Sequence, residues 1–152
     1  MVKKAALVIS LATYLIADVI SMNGEAADSI EKTLESCRAK FPISDETLNF
    51  LHSMGSLRDE SDEAAMCYVN CVMEGMEIVE AGVFRKEEQM KIAEELLKGV
   101  KKADGSNYDV NAMKKNIEDC SKLKGKSTCH TTYIITQCIE KKRKEMGIVE
   151  PN

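Results

Sequence analysis

The chain has 152 residues, enough for one domain with a modest core and too few for a multidomain assembly. With 44% apolar and 30% charged residues it is neither a disordered tail nor a polytopic membrane protein. A net charge of -4, 5% aromatics and no Trp argue against nucleic acid as a partner. A groove for phosphates needs a basic excess, and one for single strands needs stacking platforms.

The N-terminus reads Met1-Val2-Lys3-Lys4, followed by an apolar run from Ala5 to Ala17 that Asp18 ends. A basic start, a short hydrophobic stretch and small residues after it predict a secretory signal peptide, with cleavage after Ser21 or after Ala26. The run is too short to insert in a membrane, since thirteen residues rise about 20 Å where a span needs about 30 Å. Residues 1–21 are therefore expected to be removed, leaving 22–152 as a single secreted, extracellular domain.

Beyond the signal, only two prolines interrupt a dominant helical period, and no strand pair is evident. A first helix is expected from Ala27 to Lys40, stopped at Phe41-Pro42 because the residue before proline avoids helical angles. Ser44 should cap a second from Asp45 to Leu57. The longest is expected from Glu60 to Ala81, with Gly82 as its stop. Two more follow, Lys86 to Lys102 and Tyr108 to Leu123. Ser127 should cap the last, running to Met146. Its segment Thr131 to Thr136 is β-branched and favours strand by propensity. The capping serine and the basic run Lys141 to Lys144 at its end place it in a helix.

All six cysteines, Cys37, Cys67, Cys71, Cys120, Cys129 and Cys138, follow the signal, which predicts three disulfides. No metal is expected, because Cys67 and Cys71 lack a second close pair and His52 and His130 stand apart. Of the fifteen possible connectivities, those joining Cys67 to Cys71 or Cys129 to Cys138 are disfavoured. The first pair would point the same way from adjacent helical turns, and the second would sit half a turn apart. Ten pairings remain open.

The order of gaps, 29, 3, 48, 8 and 8 residues between successive cysteines on helices behind a signal peptide, resembles the insect odorant-binding protein family of pheromone and general odorant carriers. The stretch Met66-Cys67-Tyr68-Val69-Asn70-Cys71-Val72 is similar to that family's central helix, and the two 8-residue gaps are its most specific element. One departure is Gly125-Lys126-Ser127-Thr128 before the fifth cysteine, where many members carry an acidic residue. The resemblance implies pairs Cys37–Cys71, Cys67–Cys129 and Cys120–Cys138. It also implies an all-α bundle of about six helices around an apolar cavity. The function implied is a carrier of small hydrophobic molecules, monomeric or weakly dimeric, with a membrane chemoreceptor as a further partner. A venom or salivary carrier of lipids or biogenic amines on the same fold is the alternative.

With Cys67 at 0° on a helical wheel, Val72, Met76, Val69 and Met73 fall between about 140° and 240°, giving that helix a second apolar face. Thr132, Ile135 and Ile139 share a face of the last helix, while Met113 and Ile117 flank Cys120. With Ile30, Met54 and Leu57 these form the expected cavity lining, for which ordinary core packing is the competing reading. Nine methionines favour a wall that can repack around different shapes. Burying about ten methylenes yields about 8 kcal/mol gross, which after association costs predicts micromolar binding. Catalysis finds no support: no Ser, His and Asp constellation and no phosphate loop is present, and no cofactor is implied. Ile148 and Val149, two aliphatics beyond Gly147, either hang in solvent or fold back as a lid over the cavity mouth.

Overall fold

The computed structural model describes residues 24–148, so the expected signal peptide and Val149 lie outside the described residues. Six helices occur among them: α1 (Gly24–Lys40), α2 (Asp45–Met54), α3 (Glu63–Gly75), α4 (Lys86–Leu97), α5 (Val110–Ser121) and α6 (Thr128–Glu145). Strands β1 (Val79–Glu80) and β2 (Val83–Phe84) form a short antiparallel hairpin between α3 and α4. The fold is compact and all-α, with α3 packed on α1 and α6, and α5 packed on α4 and α6.

The helix starts follow side-chain chemistry. Ser44, Asp62, Asp109 and Ser127 each accept a hydrogen bond from a backbone N–H of the first turn that follows, satisfying one donor the helix cannot pair itself. The segment Thr131 to Thr136 is helical, inside an α6 that at 18 residues is longer than any other described helix.

Four helices are shorter than the sequence predicts, among them α5, which spans Val110–Ser121 where Tyr108 to Leu123 was expected. α2 was expected to reach Leu57 but ends at Met54, because Gly55 adopts a left-handed φ of 69° and donates its N–H to the Leu51 carbonyl. α4 stops at Leu97, five residues before Lys102, where Lys98 turns extended and Gly99 takes a φ of 86°. The largest correction concerns α3, expected from Glu60 to Ala81 with no strand after it. It spans only Glu63–Gly75, and the chain then turns into the hairpin. Gly75 lies so near α1 that an added Cβ would sit 2.2 Å from Thr33 Cγ2. Ala81 and Gly82, with φ of 49° and 76°, supply the two successive positive angles that a tight two-residue hairpin turn requires. The β-branched flanks Val79 and Val83 then fit extended backbone better than helix.

Three disulfides join the frame: Cys37–Cys71 ties α1 to α3, Cys67–Cys129 ties α3 to α6, and Cys120–Cys138 ties α5 to α6. This is the connectivity carried over from the resemblance. Cys67 and Cys71, one turn apart on α3, hold two different helices, so α3 cannot slide against either neighbour.

Candidate functional site

Two apolar clusters make up the interior. The first gathers around α3 and contains Leu51, Leu57, Val69, Val72, Met73 and Tyr133, with Met76 packed half-buried against it. The second contains Ala93, Leu97, Met113, Ile117 and Ile148, with Ile139 packed against it. Phe84, at the end of β2, touches both.

The expected lining residues are thus divided between two groups. Leu57, Val69, Val72, Met73 and Met76 belong to the first, and Met113, Ile117 and Ile139 to the second. The helix α6 runs along both, with Cys129, Tyr133 and Ile134 against the first cluster and Ile139 against the second. On the same helix Thr132 and Ile135 are each 2% exposed. Phe84 and α6 are thus parts of the fold that contact both clusters. Ile30 is half-buried on α1.

Met54 is a correction. It is 56% exposed, because the left-handed turn at Gly55 ends α2 directly after it and turns the chain away. Leu57 is drawn inward instead, its backbone N–H donating 2.9 Å to the Tyr133 hydroxyl. Tyr133, Leu51, Phe84, Ala93 and Leu97 are interior residues that sequence reasoning missed. Ala93 and Leu97 were legible as an i, i+4 pair on α4. Tyr133 falls about 40° from Cys129 on the helical wheel, off the face shared by Thr132, Ile135 and Ile139.

The buried hydroxyls of α6 are internally paired. The Thr132 hydroxyl donates 2.6 Å to Asn70 Oδ1 across the α3 and α6 contact, and the Thr136 hydroxyl donates to the Tyr133 carbonyl. Burial, with desolvation the larger effect, raises the phenol of Tyr133 above its ordinary range. Burial first and the Arg38 guanidinium second lower His52 below the usual imidazole range. His130 Nδ1 accepts the Lys126 backbone N–H at 3.1 Å, closing the loop before α6. Among the described residues one grouping of metal-type side chains occurs, Glu63 with Cys67 and Cys129, and its two sulfurs are bonded to each other.

Beyond α6 the chain folds inward as far as Ile148. Gly147, with a φ of 72°, donates its N–H to the Lys144 carbonyl, and Ile148 donates to the Arg143 carbonyl. This paired arrangement closes α6 and drives the following aliphatic back along the helix. Ile148 is consequently 2% exposed within the second cluster.

A sequence profile of the PBP/GOBP family, the insect odorant- and pheromone-binding proteins, matches residues 21–142. The chain belongs to this family. The match covers all six helices but for the last turn of α6, and all six cysteines. Comparison with curated proteins and with solved structures returned no match. PBP/GOBP proteins are carriers of small hydrophobic molecules, not enzymes. No helix among the described residues is long and apolar enough to cross a membrane.

Proposed function

We propose that residues 1–21 are removed on secretion and that the remaining single domain, 22–152, carries one small hydrophobic molecule at the seam between its two apolar clusters. The family match together with this divided interior supports the reading. An interior split into two lobes and joined by one wall can part around a guest more readily than a single close-packed core. Met76 on one side and Met113 on the other supply unbranched, adaptable side chains. Ile135, buried on α6, the helix that contacts both clusters, is expected to touch the guest. Delivery to a membrane chemoreceptor and a monomeric or weakly dimeric state complete the proposal.

The test is displacement of a neutral fluorescent probe. Ile135→Val removes one methylene from the proposed contact, worth about 0.8 kcal/mol, and should weaken probe binding about threefold while the helical signal is kept. Equal affinity in both proteins would put the guest elsewhere.

The tail carries a second expectation. If Ile148 and Val149 form a lid, truncation after Met146 should speed probe dissociation several-fold. Because Ile148 is also a core residue, the same truncation should cost about 2 kcal/mol and lower Tm by several degrees. Unchanged dissociation with lowered Tm would leave Ile148 as packing alone.

A further inference from the structure

The three disulfides differ in how open they lie and in where their cysteines sit along the helices. Cys37 is 3% exposed and Cys120 1%, so Cys37–Cys71 and Cys120–Cys138 each keep one cysteine in the interior. Cys67 and Cys129 are both half-buried, so neither end of the third bond is enclosed.

Helix position decides which sulfur can leave. Exchange with a thiol expels one cysteine as a thiolate, and a lower pKa makes it leave faster. Cys129 lies in the first turn of α6, two residues after the Ser127 cap, where the positive end of the helix favours a thiolate. Cys37 and Cys120 lie in the last turns of α1 and α5, at the negative ends, and burial disfavours a charge there as well. Attack on Cys71 or Cys138 would have to expel one of those two. Attack in the opposite direction meets a buried cysteine.

A carboxylate stands beside the open bond. Glu63, in the first turn of α3, brings an oxygen within 4.8 Å of both sulfurs, and its Oε1 accepts the Ser127 hydroxyl at the start of α6. Glu63 is exposed, so an incoming thiol meets it at the surface. A negative charge at that distance repels a carboxylate carried by the thiol and attracts an ammonium. Near both sulfurs alike, it does not choose between them, and the end of α6 does.

We infer that Cys67–Cys129 is a thiol-exchange site selective for aminothiols. The incoming thiolate sulfur bonds to Cys67 Sγ, the Cys67–Cys129 bond breaks, and its electron pair leaves on Cys129 as a thiolate. The aminothiol sulfur is oxidised to the mixed disulfide and Cys129 is reduced, so no other oxidant or reductant takes part. The ammonium rests against Glu63. The product has α3 untied from α6 with the other two bonds closed, whatever the interior carries.

The experiment adds cysteamine or 3-mercaptopropionate, matched in thiolate concentration, to native oxidised protein. Early aliquots are quenched in acid and alkylated, and the first adduct is located by peptide mapping. It should be the added thiol on Cys67 with Cys129 alkylated. The initial rate with cysteamine relative to 3-mercaptopropionate should fall about fivefold in Glu63→Gln, which keeps an acceptor for Ser127 and loses only the charge. The same ratio in wild-type protein should fall by a similar factor in about 1 M salt, which screens beyond roughly 3 Å. First adducts on Cys37, Cys71, Cys120 or Cys138, or several bonds opening together, would overturn the site. Adducts on Cys129 with Cys67 alkylated would overturn the part given to α6. A ratio unmoved by both Glu63→Gln and salt would overturn the selection of aminothiols.

Discussion

Reduction of the three disulfides should unfold the protein near 37 °C. The bonds close loops with sequence separations of 34, 62 and 18 residues. Constraint of the unfolded chain is worth about 4 kcal/mol for the first two and about 3 kcal/mol for the third. Together that is comparable with the whole stability of a domain, about 5–15 kcal/mol. The interior cannot compensate, because it is divided into two clusters rather than gathered in one. Replacing Cys67 and Cys129 by Ala should be the most damaging pairwise change, since that bond closes the longest loop and joins α3 to α6. Intact mass before and after reduction, followed by thermal melts of each double variant, checks the order. A reduced protein that melts within a few degrees of the oxidised one would show that helix packing alone sustains the fold.

The second large effect is expected at Met73. Its face of α3 invites a reading as cavity wall, in which a charge would abolish binding and spare the fold. The structure places it 1% exposed in the first cluster, among Val69, Val72 and Tyr133. Met73→Glu therefore removes a packed core side chain and leaves a carboxylate without a partner, costing about 4 kcal/mol or more. Most of the protein should then be unfolded or loosely packed at ambient temperature, with near-UV dichroism lost. Ile135, 2% exposed, is buried as deeply, and Ile135→Glu is expected to cost a comparable amount. If both variants fold and neither binds, Met73 is wall after all.

What could be read in the sequence depended on which signals were local. Capping chemistry is local, and the starts at Asp45 and Thr128 followed from Ser44 and Ser127. Helix ends were less legible. Gly55 and Gly99 act as stops through left-handed backbone angles, but nothing in a one-residue signal distinguishes a stop from a tolerated glycine within a helix. The hairpin was missed because Ile78 to Phe84 is too short to show a period of two, and its turn uses Ala81 at a positive angle that alanine seldom adopts. Spacing left ten disulfide connectivities open, and only the resemblance chose among them. The division of Val72 and Ile117 into separate clusters was beyond a helical wheel, which reports the face a residue occupies and not the lobe that face meets.

Titration calorimetry with decan-1-ol at several temperatures tests the central claim most directly. A carrier that encloses an apolar chain should bind one molecule per chain at micromolar affinity, with a binding enthalpy that becomes more negative as temperature rises, the mark of buried apolar surface. Saturation at no fixed stoichiometry, or an enthalpy independent of temperature, would contradict an interior site.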